Sequence, residues 1–220
     1  MFEFTGADDV KLEHLVIRGA YYGVSAVTAS DSDRISISNS LIQNNSNAGV
    51  YIEAGNENFS ITGSRIEING GTGVAVGSAD AVIDGNEFVR NGQGGVATSG
   101  VGSVITGNRA WGNGGWGINA SGGVVGNVVR AENNDVFDNA YGLTVSGAGT
   151  VALGNRLWGN TNNGLDINGG ALGENNDAWG NGTGISVNNA TARNNRSFGT
   201  ASGPSGATSS QKSFARSASR

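Results

Sequence analysis

The chain has no cysteine, one proline and one histidine in 220 residues, and only 14% of its residues are charged. The missing cysteines exclude a disulfide framework and leave the redox compartment open. No run of 18 apolar residues occurs, which excludes a membrane-spanning helix. The opening MFEFTGADD has neither a basic nor an apolar region and does not read as a signal peptide. Net charge is -5, and nothing resembles the basic stripe that displaces counterions from phosphates, so nucleic acid is not an expected partner. Lys212, Arg216 and Arg220 fall in a short Ser/Ala-rich run, and residues 201–220 read as a disordered tail.

What is abundant is glycine, 39 residues, against roughly 7% in an ordinary globular domain. Backbone geometry therefore matters more here than surface charge. The sequence also repeats itself: GNRAWGN at Gly107–Asn113 returns as GNRLWGN at Gly154–Asn160 and as ENNDAWGN at Glu174–Asn181. Internal repeats of this length mark solenoid architectures.

Ser40, Ser64, Asn86, Asn108, Asn134, Asn155, Asn176 and Asn195 serve as the repeat origin, with Leu15 as a degenerate first member, and lie 19 to 26 residues apart. Three residues earlier stands an apolar column, Leu12, Ile37, Ile61, Ile83 and Ile105, fading to Ala131, Ala152, Gly173 and Ala192. Two residues later stands another, from Ile17 and Ile42 to Leu157 and Ala178. Eight or nine residues after the origin comes Gly and an apolar-x-apolar pair, as in Gly49-Val50-Tyr51-Ile52. Each repeat thus holds three short stretches of period two joined by Gly/Asn corners, and none is long and periodic enough for a helix. The pattern predicts an all-β fold, a single-stranded right-handed parallel β-helix of about nine rungs with three short strands each, stacked about 4.8 Å apart into a rod of roughly 40 Å. Residues 1–9 form a lead-in strand or loop, and residues 10–200 form the β-helix.

Stacking demands that every column tolerate its own kind as neighbour. The slot before the origin is always Gly or Asn after the first rung, residues suited to positive φ, and His14 fills it in the first rung. Asn at the origin and Asn five residues later, from Asn45 to Asn181, form two columns whose amides can hydrogen-bond along the axis. Sequons such as Asn181-Gly-Thr fall on these inward residues and are poor glycosylation acceptors.

Outward columns are where function would show. One residue after the origin the sign alternates through Arg65, Glu87, Arg109, Asp135, Arg156, Asp177 and Arg196, which sets an Arg above and below each carboxylate and specifies register. Two residues further stand Trp111, Phe137, Trp158, Trp179 and Phe198, an exterior aromatic strip. It reads either as a self-packed ladder with Arg lying over the rings or as a surface on which sugar rings stack, with Trp111, Phe137, Trp158 and Trp179 as carbohydrate-binding residues. The third strand's outward residues, Ser25, Tyr51, Ala75, Ala97, Asn119, Thr144, Asp166 and Ser186, are mostly small and neutral, and no acid/base pair converges there. Asp8, Asp9, Asp31, Asp33 and Asp80 sit in corner loops and suit Asx capping. They could bind a loose Ca²⁺, but their spacing matches neither an EF-hand nor a Gly-Gly-x-Gly-x-Asp calcium repeat, and no metal or cofactor is expected.

The pattern I-x-x-N-x-I-x-x-N-x-x-x-G-V-x-V resembles the parallel β-helix repeats of the pectin-lyase-like superfamily over about residues 10 to 200. The repeat style is similar to that of bacterial mannuronan C5-epimerases, periplasmic carbohydrate-binding and sugar-hydrolysis repeat proteins, and large surface proteins. That superfamily spans lyases, hydrolases, epimerases and adhesins. The Tyr-Gly-x-Asp-Pro-His type segment of the epimerases is missing: the one proline is Pro204, and His14 lies in Val-Lys-Leu-Glu-His-Leu. The resemblance implies an extracellular or cell-surface module, structural or polysaccharide-binding, without catalysis of its own. The alternative is a uronan lyase or epimerase relative, for which Glu13, His14, Arg18, Tyr21 and Tyr22 form the densest cluster of suitable chemistry. The short lead-in and the Ser/Gly-rich end point to a segment of a longer secreted protein or a reduced relative, with fraying from the C-terminal end, where core residues are smaller.

Overall fold

A computed structural model describes residues 1–201 of the chain; all but the first residue of the Ser/Ala-rich tail lies outside them. Twenty-seven short strands wind into a right-handed parallel β-helix, and each of its three sheets has nine strands. In the first full rung, Lys11–Glu13 belongs to the first sheet, Val16–Arg18 to the second and Val24–Ala26 to the third. Equivalent letters lie directly above one another: Ile61 pairs with Ile83 and Ile105, Ile42 with Ile66, and Val74 with Val50 and Val96. Phe2–Glu3, within the lead-in, adds a strand to the third sheet beside Val24–Ala26, and Phe4 joins the core.

The corner slot takes the left-handed conformation throughout, whichever residue fills it. Its φ is 55° at His14, 48° at Asn39, 62° at Gly107 and 53° at Asn133. Only Gly and a few short polar residues reach this region cheaply, so the composition of the column follows from its geometry. His14 faces solvent there, and its backbone N–H donates to the Ser38 carbonyl.

Both Asn columns are buried hydrogen-bonded ladders. Asn108 is typical: its Oδ1 accepts from the backbone N–H and the side-chain amide of Asn86, while its Nδ2 donates to Ile83 O at 2.8 Å and to Asn134 Oδ1 at 3.0 Å. The second ladder joins Asn45 to Asn181 in the same manner. Each amide therefore satisfies backbone groups that turn inward at a corner, where an unpaired one costs about 1–3 kcal/mol.

The core changes along the rod in a compensated way. As the first-sheet column shrinks from Ile83 and Ile105 to Ala152 and Gly173, the two inward third-sheet columns grow, one from Val74 and Val96 to Leu165 and the other from Thr98 and Ala120 to Ile167. A Cβ added at Gly173 would lie 2.3 Å from Ile167 Cδ1. The smaller late residues thus make room for larger ones opposite, at the close packing usual for interiors. The second-sheet column ends in Ser197, whose hydroxyl is buried without a hydrogen-bond partner.

The longest repeat, 26 residues between Asn108 and Asn134, holds a small reverse turn in which Val124 and Asn127 exchange backbone hydrogen bonds and Val125 is 89% exposed. Another corner carries the one helical turn among the described residues, the 3-10 segment Thr28–Ser30.

Candidate functional site

Two outward faces carry the chemistry. On the second sheet, Trp111, Phe137, Trp158, Trp179 and Phe198 stack ring on ring, with centroids 4.4–5.9 Å apart and interplanar angles of 4–9°. The rings lie nearly perpendicular to the axis, so the inner ones cover each other's faces and show solvent their edges. The guanidinium of Arg109 lies 5.1 Å from the Trp111 ring centroid and 5.7 Å from that of Phe137, and Arg65 also overlies Trp111.

This placement changes the neighbouring charge column. Glu87 has Arg on both sides, bonding Arg65 and lying 3.6 Å from Arg109. As expected from the alternation, every carboxylate of the column has an Arg above and below it in register, and Glu87 is the one that ion-pairs with both neighbours among the described residues. Asp135 is held by Arg156 through two hydrogen bonds of 2.6 Å, and Asp177 by Arg196 at 3.2 Å. Arg109 lies over two rings and reaches toward Glu87, and a guanidinium gains comparably from an aromatic face and an exposed carboxylate.

The third sheet carries the other face. Tyr51, Ala75, Ala97 and Asn119 are consecutive partners on its outer side. The two alanines form a low floor between a tyrosine and an amide, and the result is an open cleft of ≈ 420 Å³, within the size range of ligand sites. One side is made by the corner residues Thr28, Glu53, Gly77, Ser99 and Ser121. One face of Tyr51 stacks on Tyr22, with centroids 4.7 Å apart and planes 11° apart, and Tyr21 meets Tyr22 edge-on. The next residue in the Tyr51 column is Ala75, so the other ring face borders the cleft.

Glu53 is fixed beside that ring. Its Oε1 accepts from the Tyr51 hydroxyl at 2.5 Å, and its Oε2 accepts from Thr28 N at 2.7 Å and Thr28 Oγ1 at 2.8 Å. These donors, Tyr51 first, hold its carboxyl below the usual carboxylate range. The hydrogen bond to Glu53 in turn pushes the Tyr51 hydroxyl up to about 12, with desolvation adding to it, so the phenol stays a donor at neutral pH.

Beyond Asn119 the column continues through Thr144, Asp166 and Ser186. Burial pushes the Asp166 carboxyl above the ordinary Asp range, against the hydrogen bonds from Asn163, at 2.6 Å, and Ser186. Trp116 lies over Gly94, where an added Cβ would sit 2.5 Å from its Nε1, and that indole N–H is buried without a partner.

The cluster Glu13, His14, Arg18, Tyr21 and Tyr22 is dispersed around the first rung. Glu13 lies in the first sheet, His14 at the following corner and Arg18 in the second sheet; only Tyr21 and Tyr22 are in ring contact. The corner acids are engaged locally: Arg34 binds Asp8 and Asp9, Asp8 Oδ1 accepts from Asp33 N, and Asp33 Oδ1 accepts from Glu57 N. No three acidic or His side chains converge as a metal site among the described residues. Sequence reading missed Thr28 and Glu53; the available signal was Tyr51, the single aromatic in a column of small residues.

The sequence pattern of the family described as "Right handed beta helix region" matches residues 22–173, more than half of the chain. Similar solved structures include the A-module of a mannuronan C-5 epimerase from Azotobacter vinelandii, with TM-score 0.74 and 18% identity over 90% of this chain and 62% of that one. A pectate lyase superposes with TM-score 0.70 at 16% identity, covering 87% of this chain and 63% of its own. The surface adhesin PfbA of Streptococcus pneumoniae superposes with TM-score 0.70 at 13% identity, covering 92% and 62%. The chain spans less than two thirds of the length of each. No curated protein matches it in sequence. At these identities the structural likenesses show a shared fold, and the family pattern places the chain in the right-handed beta helix family.

Proposed function

We propose that the chain is an extracellular or cell-surface module that binds polysaccharide along its rod without turning it over. The observation that carries this reading is the free face of Tyr51, set over the Ala75–Ala97 floor and flanked by Glu53 and Asn119. A flat ring beside hydrogen-bonding groups at a fixed height is what a pyranose needs: its C–H face stacks and its hydroxyls find partners. Glu53 is held ionised by three donors and Asp166 has no second carboxylate shown beside it, so the face offers recognition more readily than an acid/base pair.

The aromatic strip supports a second locus. Trp111, Phe137, Trp158 and Trp179 present ring edges in a continuous line, and Phe198 is the last ring of the stack among the described residues. Isothermal titration with a panel of polysaccharides separates the two. Tyr51→Ala is expected to weaken binding about tenfold, the value of one lost stack of about 1.4 kcal/mol, with Trp158→Ala binding as the parent does. The reverse pattern moves the site to the strip. Absence of saturable binding to any glycan sinks the proposal, and unsaturated uronate ends in the mixture would make the chain a lyase instead.

A further inference from the structure

The charges of the rod are sorted by face. In the nine strands of the third sheet the charged residues are Glu3 and Asp166, and the one charged residue lining the cleft is Glu53. No Lys or Arg occurs in any of these strands. Lys11, Arg130 and Arg193 lie in the first sheet and five arginines in the second, while Arg34 and Arg90 sit in corners.

A polyuronate lying along this face would bring a carboxylate with every sugar toward Glu53 and Asp166, with no cation in the sheet to offset it. Adjacent charges are inside the screening length of about 8 Å at physiological salt. Nor do acids converge there to hold a bridging divalent ion. What the face does offer is uncharged: the amides of Asn119 and Asn163 and the hydroxyls of Thr144 and Ser186. Beside these, the two carboxylates are acceptors for sugar hydroxyls, whose O–H groups donate to a carboxylate strongly.

We infer that the third-sheet face takes an uncharged polysaccharide and rejects polyuronates, with Glu53 and Asp166 accepting from the sugar's hydroxyls. The inference rests on the glycan-binding reading above. Its test uses polymers matched except for charge: polygalacturonate and polymannuronate, each beside its carboxyl-reduced form in which every C6 carboxylate is a primary alcohol, together with neutral glucan, xylan and mannan. Affinity electrophoresis and calorimetry are run in EDTA and again with millimolar Ca²⁺. A neutral polymer is expected to bind at least tenfold more tightly than any polyuronate under both conditions. The double variant Glu53→Gln with Asp166→Asn is expected to narrow the gap by raising polyuronate affinity. Tighter or equal binding of a polyuronate, in either buffer, overturns the inference while leaving glycan binding intact, and so does an unchanged gap in the double variant. If no polymer binds, neutral or acidic, the glycan reading itself falls and this one with it.

Discussion

At the scale of single residues the corner slot is the clearest case of geometry dictating chemistry. Gly85 occupies it with φ 63°, and an added Cβ there meets nothing within 4 Å. Gly85→Ala therefore isolates the backbone penalty and is expected to cost about 1–2 kcal/mol in urea unfolding. Gly85→Asn should recover most of that, because Asn39, Asn133, Asn175 and Asn194 already fill the same slot; equal losses for Ala and Asn would mean that φ does not control the column. Asp166 gives a second test, with a defined sign. Its folded-state carboxyl keeps a proton to higher pH than in the unfolded chain, so its contribution falls as pH rises from the ordinary Asp value through the raised one. Asp166→Asn is expected to stabilise the fold at neutral pH by roughly a few tenths of a kcal/mol, after allowing for solvent screening of a partly exposed group. The gain should vanish near about pH 3, where both states are protonated. A melting temperature lower than the parent's at neutral pH would show that the carboxylate is favourably held.

At the scale of strands and columns, sequence was legible wherever a property repeats. The Gly/Asn slot, the two amide ladders and the aromatic strip could be read because parallel stacking in register puts each letter on its own kind. The cleft was not legible in the same way. Tyr22, Thr28, Tyr51 and Glu53 belong to no recurring set, and they meet because they lie in or beside two third-sheet strands that stack one over the other. For Arg109 the sequence offered both a carboxylate and a ring as neighbours: column position fixes where its Cα sits, whereas the guanidinium's division between ring and carboxylate is a local competition. Core volume was read one sheet at a time, so the trade between Gly173 and Ile167 went unseen. Gly173→Ala is expected to cost about 1 kcal/mol through overpacking, and adding Ile167→Val in the same chain should restore most of it. Additive losses in that pair would show that the two sites do not share space.

At the scale of the whole rod, stability should be graded. Interior rungs pair on both sides and enclose Ile118, Leu143 and Leu165, whereas the last described rung, ending at Arg196–Phe198, pairs on one side among the described residues, sets Ser197 in the core column and leaves Ala192 only partly covered. Local opening is easiest where buried apolar contacts are few. Hydrogen exchange is expected to be slowest at the central third-sheet strands, near Val96 and Ile118, and fastest over Thr191–Phe198, with the N-terminal rung, closed by Phe4 and Leu12, in between. Uniform protection from end to end would instead describe a single cooperative unit.

The alternating column also imposes a parity on length. Excising the one turn that carries Glu87 would seat Arg65 beneath Arg109, cation on cation, whereas excising two would bring Arg65 to Asp135 and leave every junction heterotypic. Shortening or duplication of this molecule is thus expected to be easiest in even steps.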